Sequence, residues 1–208
     1  MKQFIKNNLI AILSLVIAGT TLYLTQFTEP KIDVRIGDVM RLWYAPDKQG
    51  VGILASVSLL NQSNLVGTVV RLGAVIYRVD SPQRKYFLDW IQFQTLTDTG
   101  WKKDSDAGAL TIPANGSVTK QVLFSWSGTP PLNFSEGPYK FAVVAWKPGK
   151  DQAPMHRIQD FMIDKPLLAK IDESALPKAP MVRIDVGGLF LGSVLLGEDE
   201  ARKLLGLP

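Results

Sequence analysis

The feature that most constrains this 208-residue chain is an uncharged, strongly apolar run over residues 9–27. As a helix, nineteen residues rising about 1.5 Å each span roughly 28 Å, which matches the hydrocarbon thickness of a bilayer. Lys2 and Lys6 precede the run, and by the positive-inside rule they place the N-terminus in the cytoplasm. Tyr23 and Phe27 lie near the far end, where aromatic rings suit the membrane interface. The run therefore predicts a membrane anchor, whose apolar side chains include Leu9, Ile10, Leu13, Val16, Ile17, Leu22 and Leu24.

A cleaved signal peptide is the alternative interpretation of this run. The small residues Ala18 and Gly19 would permit cleavage after Ala18. The run stays apolar through Leu22-Tyr23-Leu24, however, and this continuation favours an uncleaved anchor. A lipoprotein is excluded because the chain has no cysteine to acylate. Both interpretations export residues 30–208, to the periplasm or the cell exterior, from a membrane that is expected to be the bacterial cytoplasmic membrane.

The charge balance of the exported part argues against nucleic acid as a partner. The chain has 23 basic and 19 acidic residues, and the first 28 residues contain two of the lysines and no acid. The remainder is therefore close to neutral, and its basic pairs are soon followed by acids, whereas a phosphate-binding surface concentrates cations on one face. The missing cysteines exclude disulfides and thiol chemistry, which fits a bacterial envelope protein.

Segments with alternating apolar residues follow Pro30 and predict an all-β domain. One strand, residues 31–44, is interrupted at Gly37-Asp38, which indicates a bulge. The segment 85–96 is apolar on two faces, with Phe87, Ile91 and Phe93 on one of them, and residues 97–108 are expected to form a polar loop. The other predicted strands are residues 51–60, 66–79, 109–112, 117–126, 139–146 and 155–163.

Residues 109–146 resemble immunoglobulin-like and fibronectin-like sandwiches. Leu110–Ser117 is similar to their pattern of an apolar strand, a Gly-Ser turn and a second apolar strand. Gly137-Pro138-Tyr139 resembles a tyrosine corner, in which the phenol hydroxyl bonds backbone upstream. The resemblance implies an immunoglobulin-like antiparallel β-sandwich. It implies no function, because such folds support many unrelated activities.

The expected organisation has three parts: an anchor over residues 1–28, a sandwich over residues 30–165 and a tail over residues 166–208. The tail is expected to contain a short helix capped by Asp164, or else a linker, and then a strand over residues 181–186. Gly187-Gly188 predicts a hairpin turn, and the apolar residues 189–196 either pack on the sandwich or pair with another subunit. A short helix is expected over residues 198–205.

No catalytic, cofactor or metal constellation stands out in the sequence, so we expect a non-enzymatic protein without a cofactor. His156 is the only histidine and has no nucleophile motif near it. With one histidine and no cysteine, a zinc site is not expected. Asp104-Ser105-Asp106 lacks the further acids of a calcium loop.

Five tryptophans remain to be explained, at positions 43, 90, 101, 126 and 146. Trp126 follows the inward phase of its strand and is expected in the core. The possible binding surface consists of Trp90, Trp101, Trp146, Phe190 and Leu191. The leading hypothesis is a membrane-anchored interaction module that binds another envelope or membrane protein. The alternative is a sandwich that binds glycan or peptidoglycan through its exposed tryptophans.

Overall fold

Two helices and eleven strands make up the part of the chain that the computed structural model describes, namely residues 2–26, 29–45, 50–98, 100–128, 131–149, 155–176 and 181–186. In α1 the side chains of residues 8–23 are described. The elements in chain order are α1 (Lys2–Gln26), β1 (Ile32–Tyr44), β2 (Val51–Asn61), β3 (Gly67–Val69), β4 (Arg71–Arg78), β5 (Lys85–Thr97), β6 (Gly100–Asp106), β7 (Leu110–Ile112), β8 (Ser117–Trp126), β9 (Gly137–Trp146), β10 (Met155–Ile163), α2 (Lys165–Glu173) and β11 (Val182–Asp185).

Nine of these strands form one antiparallel sheet in the order β10-β9-β4-β5-β8-β2-β1-β11, with β6 added to β5. The sheet is nearly closed, because β1 also contacts β10 and Gln159 Nε2 of β10 donates to the carbonyl of Val186, just after β11, at 2.8 Å. β3 and β7 form a separate two-stranded ribbon. The domain is therefore mostly β and sandwich-like. The described strands form one continuous sheet and a ribbon, unlike the two separate sheets of an immunoglobulin domain, so the immunoglobulin-like class is not confirmed.

The inner face of this sheet follows the alternation seen in the sequence. In β2, Ile53, Ala55 and Val57 are buried in the core, while Ser56 and Ser58 on the other face are partly exposed. The predicted irregularity in β1 is confirmed, since its pairing with β2 shifts between Ile36 and Met40. This shift keeps the apolar residues on both sides of Gly37-Asp38 directed at one core.

Three details of the strand predictions were wrong. Residues 97–108 are not a loop, because β6 pairs with β5 in a hairpin arm whose β6 residues are mostly exposed and so need no apolar alternation. The single strand predicted over residues 66–79 divides at Val70, and β3 leaves for the ribbon. In β5 the pairing with β8 shifts between Trp90 and Gln92, so Phe93 joins Leu88 in the core instead of sharing the outer face with Phe87.

The predicted tyrosine corner has the expected hydrogen bond. The Tyr139 hydroxyl accepts from the backbone N–H of Ser135, four residues upstream, at 3.0 Å. The ring is 2% exposed and stacks on Phe161 of β10, with 5.5 Å between ring centroids. This tyrosine therefore ties the chain before β9 to the edge of the sheet.

The described part of the tail packs on the sheet. Asp164 caps α2 by accepting from the Leu167 N–H at 2.8 Å, as predicted, and Pro166 lies in the first turn. At the other end of α2, the Ser174 hydroxyl donates a hydrogen bond to the Ile171 carbonyl and accepts one from the Tyr44 N–H. The predicted strand over residues 181–186 is present as β11, which pairs with β1. Residues 189–196 and 198–205 lie outside the described residues.

Candidate functional site

The most unusual surface of the molecule is that of α1, whose described side chains, residues 8–23, are all exposed. Leu15 is 74% exposed, and Leu13 and Val16 are 61% and 57% exposed. Large apolar side chains lie all round the helix instead of forming one stripe, so no single contact could cover them. Of the predicted anchor residues, Leu9, Ile10, Leu13, Val16, Ile17 and Leu22 are exposed, and the side chain of Leu24 lies outside the described residues.

Within the described part of the chain, no helix is long and apolar enough to cross a membrane.

A second apolar surface lies on the outer face of the sheet, where β9, β4 and β5 run side by side. Val75, Ala142 and Val144 point away from the core yet are at most 1% exposed. They are covered by Tyr77, Phe87, Trp146 and Ile158, and we call these seven residues the outer cluster. The solvent-facing side of an antiparallel sheet usually carries polar residues, so an apolar cluster at this place is unusual.

A glycine makes the close packing of the outer cluster possible. A Cβ atom placed on Gly73 would lie 2.6 Å from Phe87 Cζ and 3.2 Å from the Trp146 ring. The two rings instead meet edge to face over this gap, with their centroids 6.0 Å apart. The missing side chain at Gly73 therefore lets these two rings pack closely against β4.

Charged side chains rim the outer cluster. The Arg71 guanidinium lies 5.1 Å from the centroid of the Trp146 ring and 5.6 Å from that of Phe87, and its Nη2 is 3.5 Å from Asp89 Oδ1. Lys85 Nζ lies 5.8 Å from the ring centroid of Tyr77. Burial, with a smaller contribution from Asp160, raises the pKa of Tyr77 above its ordinary value.

The three tryptophans predicted to bind a partner do not share a surface. Trp146 belongs to the outer cluster, whereas Trp90 packs inward against Phe93, with 5.0 Å between ring centroids. The Trp90 indole N–H is buried and has no hydrogen-bond partner among the described residues. Trp101 lies on the β5–β6 arm, 4.8 Å from the Arg41 guanidinium. Phe190 and Leu191 lie outside the described residues.

The prediction that Trp126 packs in the core is confirmed. Two residues that contact Trp146 were not identified from the sequence. Trp126 packs against the core, with its ring 5.6 Å from that of Tyr86. Arg71 and Phe87 were not singled out with Trp146, although both fall on the outer phase of their strands. Only the register of β4 between β5 and β9 brings them together.

Several polar groups singled out in the sequence have structural partners. Asp104 Oδ2 accepts from Lys120 Nζ at 3.1 Å, and Asp106 pairs with Lys103. His156 lies in β10 opposite Val144. Among the described residues, no three His, Cys, Asp or Glu side chains are grouped closely enough to hold a metal ion.

The shifted ionisable groups outside the outer cluster have structural causes. Burial raises the pKa of Tyr44 to about 12, and its hydroxyl accepts from the Phe134 N–H at 2.8 Å. The hydrogen bond between Arg78 and Asp80 raises the pKa of the arginine and lowers that of the carboxyl. Arg78 also bonds Ser135, next to the tyrosine corner, so this pair holds the turn after β4.

Comparison with known proteins gives only distant similarity. No protein-family model matches the chain, and no curated protein matches it. A family 123 glycoside hydrolase from Clostridium perfringens, studied for glycolipid glycan hydrolysis, matches at 10% identity and a TM-score of 0.34, covering 65% of this chain and 27% of that one. A candidate lipoprotein from Bacillus subtilis, YcdA, matches at 17% identity and a TM-score of 0.36, covering 71% and 42%.

The sporulation control protein Spo0M of Bacillus subtilis matches at 10% identity and a TM-score of 0.34, covering 70% of this chain and 54% of that one. The present chain thus spans about a quarter to about half of the length of these proteins. At such identities and TM-scores, the similarity carries no argument about function.

Proposed function

We propose that this chain is an exported, membrane-anchored interaction module without enzymatic activity, and that its partner is another envelope or membrane protein. The outer cluster is the observation that carries the proposal. Aromatic rings and arginine dominate the energetics of protein interfaces when they are held rigidly at the centre of a contact. Trp146, Phe87 and Arg71 have this composition: the two rings pack closely over Gly73, and the Arg71 guanidinium lies over both of them.

The anchor is supported by the exposure of α1. Its described apolar side chains are all exposed. The uncharged run continues to Phe27, past Tyr23, the last helix residue with a described side chain. A bilayer would surround an apolar helix on all sides, whereas a groove on a protein would cover only one stripe.

The alternative function, glycan binding by exposed tryptophans, has less support. A stacking platform needs its rings on one accessible surface. Trp90 packs on the core and Trp146 belongs to the outer cluster, so the two rings do not form one flat platform.

Photocrosslinking on the full-length chain in native membranes tests the proposal. A benzophenone amino acid is placed at Phe87 in the outer cluster, and at the exposed residue Thr119 of β8 as control. We expect one discrete protein adduct from position 87 and none from position 119. Equal adducts from both positions, or no protein adduct from position 87, would contradict the proposed interface.

Affinity for the crosslinked partner, once purified, is then measured with substituted chains. Trp146→Ala is expected to weaken binding by tenfold or more, as truncation of a central interface tryptophan does. Trp43→Ala is the matched control, since Trp43 packs over Gly52 on a different part of the sheet. A loss of the same size in both variants would show that general destabilisation, and not the outer cluster, is responsible.

A further inference from the structure

The ribbon strand β3 and the two residues that flank it expose apolar side chains beside Glu29 and Pro30. Gly67 and Val69 are buried, while Thr68 of β3 is partly exposed and the flanking residues Val66 and Val70 are exposed. Val66 is 60% exposed and Val70 is 44% exposed, although β-branched apolar residues usually lie against other elements. We call Val66, Thr68 and Val70 the β3 face.

The β3 face borders the start of the sandwich directly. Val66 and Thr68 line one shallow groove together with Glu29, Pro30, Ile32, Lys147 and Pro148. Lys147 Nζ donates to the Pro30 carbonyl at 2.8 Å and lies 3.9 Å from Glu29 Oε2. The Lys147 side chain is only 20% exposed, so this contact holds the entering chain against the base of the sandwich.

The length of the connection keeps the β3 face close to the helix end. Between Gln26, the last residue of α1, and Pro30 there are four residue steps, which extend at most about 14 Å. A helix end lying at a membrane interface would therefore keep Pro30, and the Val66 side chain across the groove, within reach of the lipid headgroups.

We propose that the β3 face rests in the headgroup–acyl boundary of the same bilayer that holds α1, so that the sandwich docks on the membrane in a fixed orientation. This inference rests on the proposed function for α1 as the anchor. Exposed valines gain free energy when they leave water at that boundary. The outer cluster, which includes Trp146 at the end of β9, then faces sideways from a site just above the membrane.

Nitroxide labelling tests the docking, and the lack of native cysteine makes single-site labels clean. The full-length protein carries Val66→Cys, Leu15→Cys or Leu176→Cys and is reconstituted in phosphatidylcholine vesicles. Leu176 is the matched control, because it is an aliphatic residue with a similar exposure of 63%. It lies at the opposite end of β1, where Ser174 Oγ accepts from Tyr44 N–H. On the paired strand β2 the two ends are Asn61 and Val51, which lie roughly 33 Å apart at about 3.3 Å per residue.

Relaxation by oxygen, which concentrates in lipid, and by a water-soluble nickel chelate is measured at each label. We expect the label at position 66 to meet the nickel chelate several-fold less often than the label at position 176, and to meet oxygen more often. A lipid-exposed label at position 15 with a water-exposed label at position 66 would overturn the docking and leave the anchor intact. A water-exposed label at position 15 would overturn both.

Discussion

The helix α1 and the nearly closed sheet contain the same apolar residue types, but the sheet buries them and α1 exposes them. Leu42, Ile53 and Leu72 of the sheet are at most 1% exposed, whereas Leu13, Leu15 and Ile17 of α1 are 59–74% exposed. The sheet covers its own apolar side chains because alternate residues meet across one core, and α1 has no equivalent. The difference is one of cover: the apolar side chains of the sheet are buried against one another, whereas the described apolar side chains of α1 are exposed.

The largest expected effect comes from charges introduced into α1. Leu13→Asp together with Val16→Asp should move the protein from the membrane fraction to the soluble fraction, since each buried aspartate at the centre of a membrane helix costs about 3 kcal/mol. The measurement is fractionation after carbonate washing.

The matched control for these charges is Leu13→Ala together with Val16→Ala, which keeps α1 apolar and should stay in the membrane. The thermal unfolding midpoint of the sandwich should be unchanged in both double variants, because these positions are exposed. Retention of the aspartate variant in the membrane would show that α1 does not insert.

A second, smaller effect tests the sheet. Phe141→Ala should lower the free energy of unfolding by about 3–5 kcal/mol, because this fully buried ring packs against Phe124 with 6.1 Å between centroids. Urea denaturation monitored by tryptophan fluorescence measures the loss. Ile91→Ala, at a position that is 44% exposed, should change it by less than about 1 kcal/mol. Equal losses at both positions would contradict the assignment of inner and outer residues.

The smallest expected effect concerns Tyr44 at high pH. Its folded-state pKa is about 12, because burial disfavours the phenolate, while an unfolded tyrosine ionises near 10. Stability from this group is complete below pH 10 and falls as the pH rises towards 12, by a total on the order of 2 to 3 kcal/mol. Urea denaturation between pH 8 and 11 should show the beginning of this fall. Tyr44→Phe should remove its contribution to the slope, and an unchanged slope would contradict the assignment.

The sequence correctly predicted those features of the fold that local residue patterns determine. The strands around the core, the bulge near Gly37, the Asp164 cap and the Tyr139 hydrogen bond were all predicted, because each depends on residues that are close in the chain. The β6 strand was missed because an exposed arm carries no apolar alternation. The phase error at Phe93 arose because a shift in pairing with β8 depends on a partner strand that is distant in sequence.

The candidate interface was only partly predictable for the same reason. The unexpected phase of Trp146 marked it correctly as an outward residue, but the same criterion applied to Trp90 selected a ring that packs on the core. The contribution of Arg71 and Phe87 depends on the strand order β9-β4-β5, in which β9 pairs with a strand more than fifty residues earlier in the chain. No local signal in the sequence specifies that order.

The central claim, an anchored chain with its sandwich on the exported side, is tested most directly by thiol labelling in bacterial spheroplasts. Ser81→Cys, in an exposed turn of the sandwich, and Asn7→Cys, before the apolar run, are each treated with a membrane-impermeant maleimide. We predict that position 81 reacts in intact spheroplasts and that position 7 reacts only after lysis. Reaction of position 81 only after lysis, or release of the protein with the soluble fraction, would contradict the account.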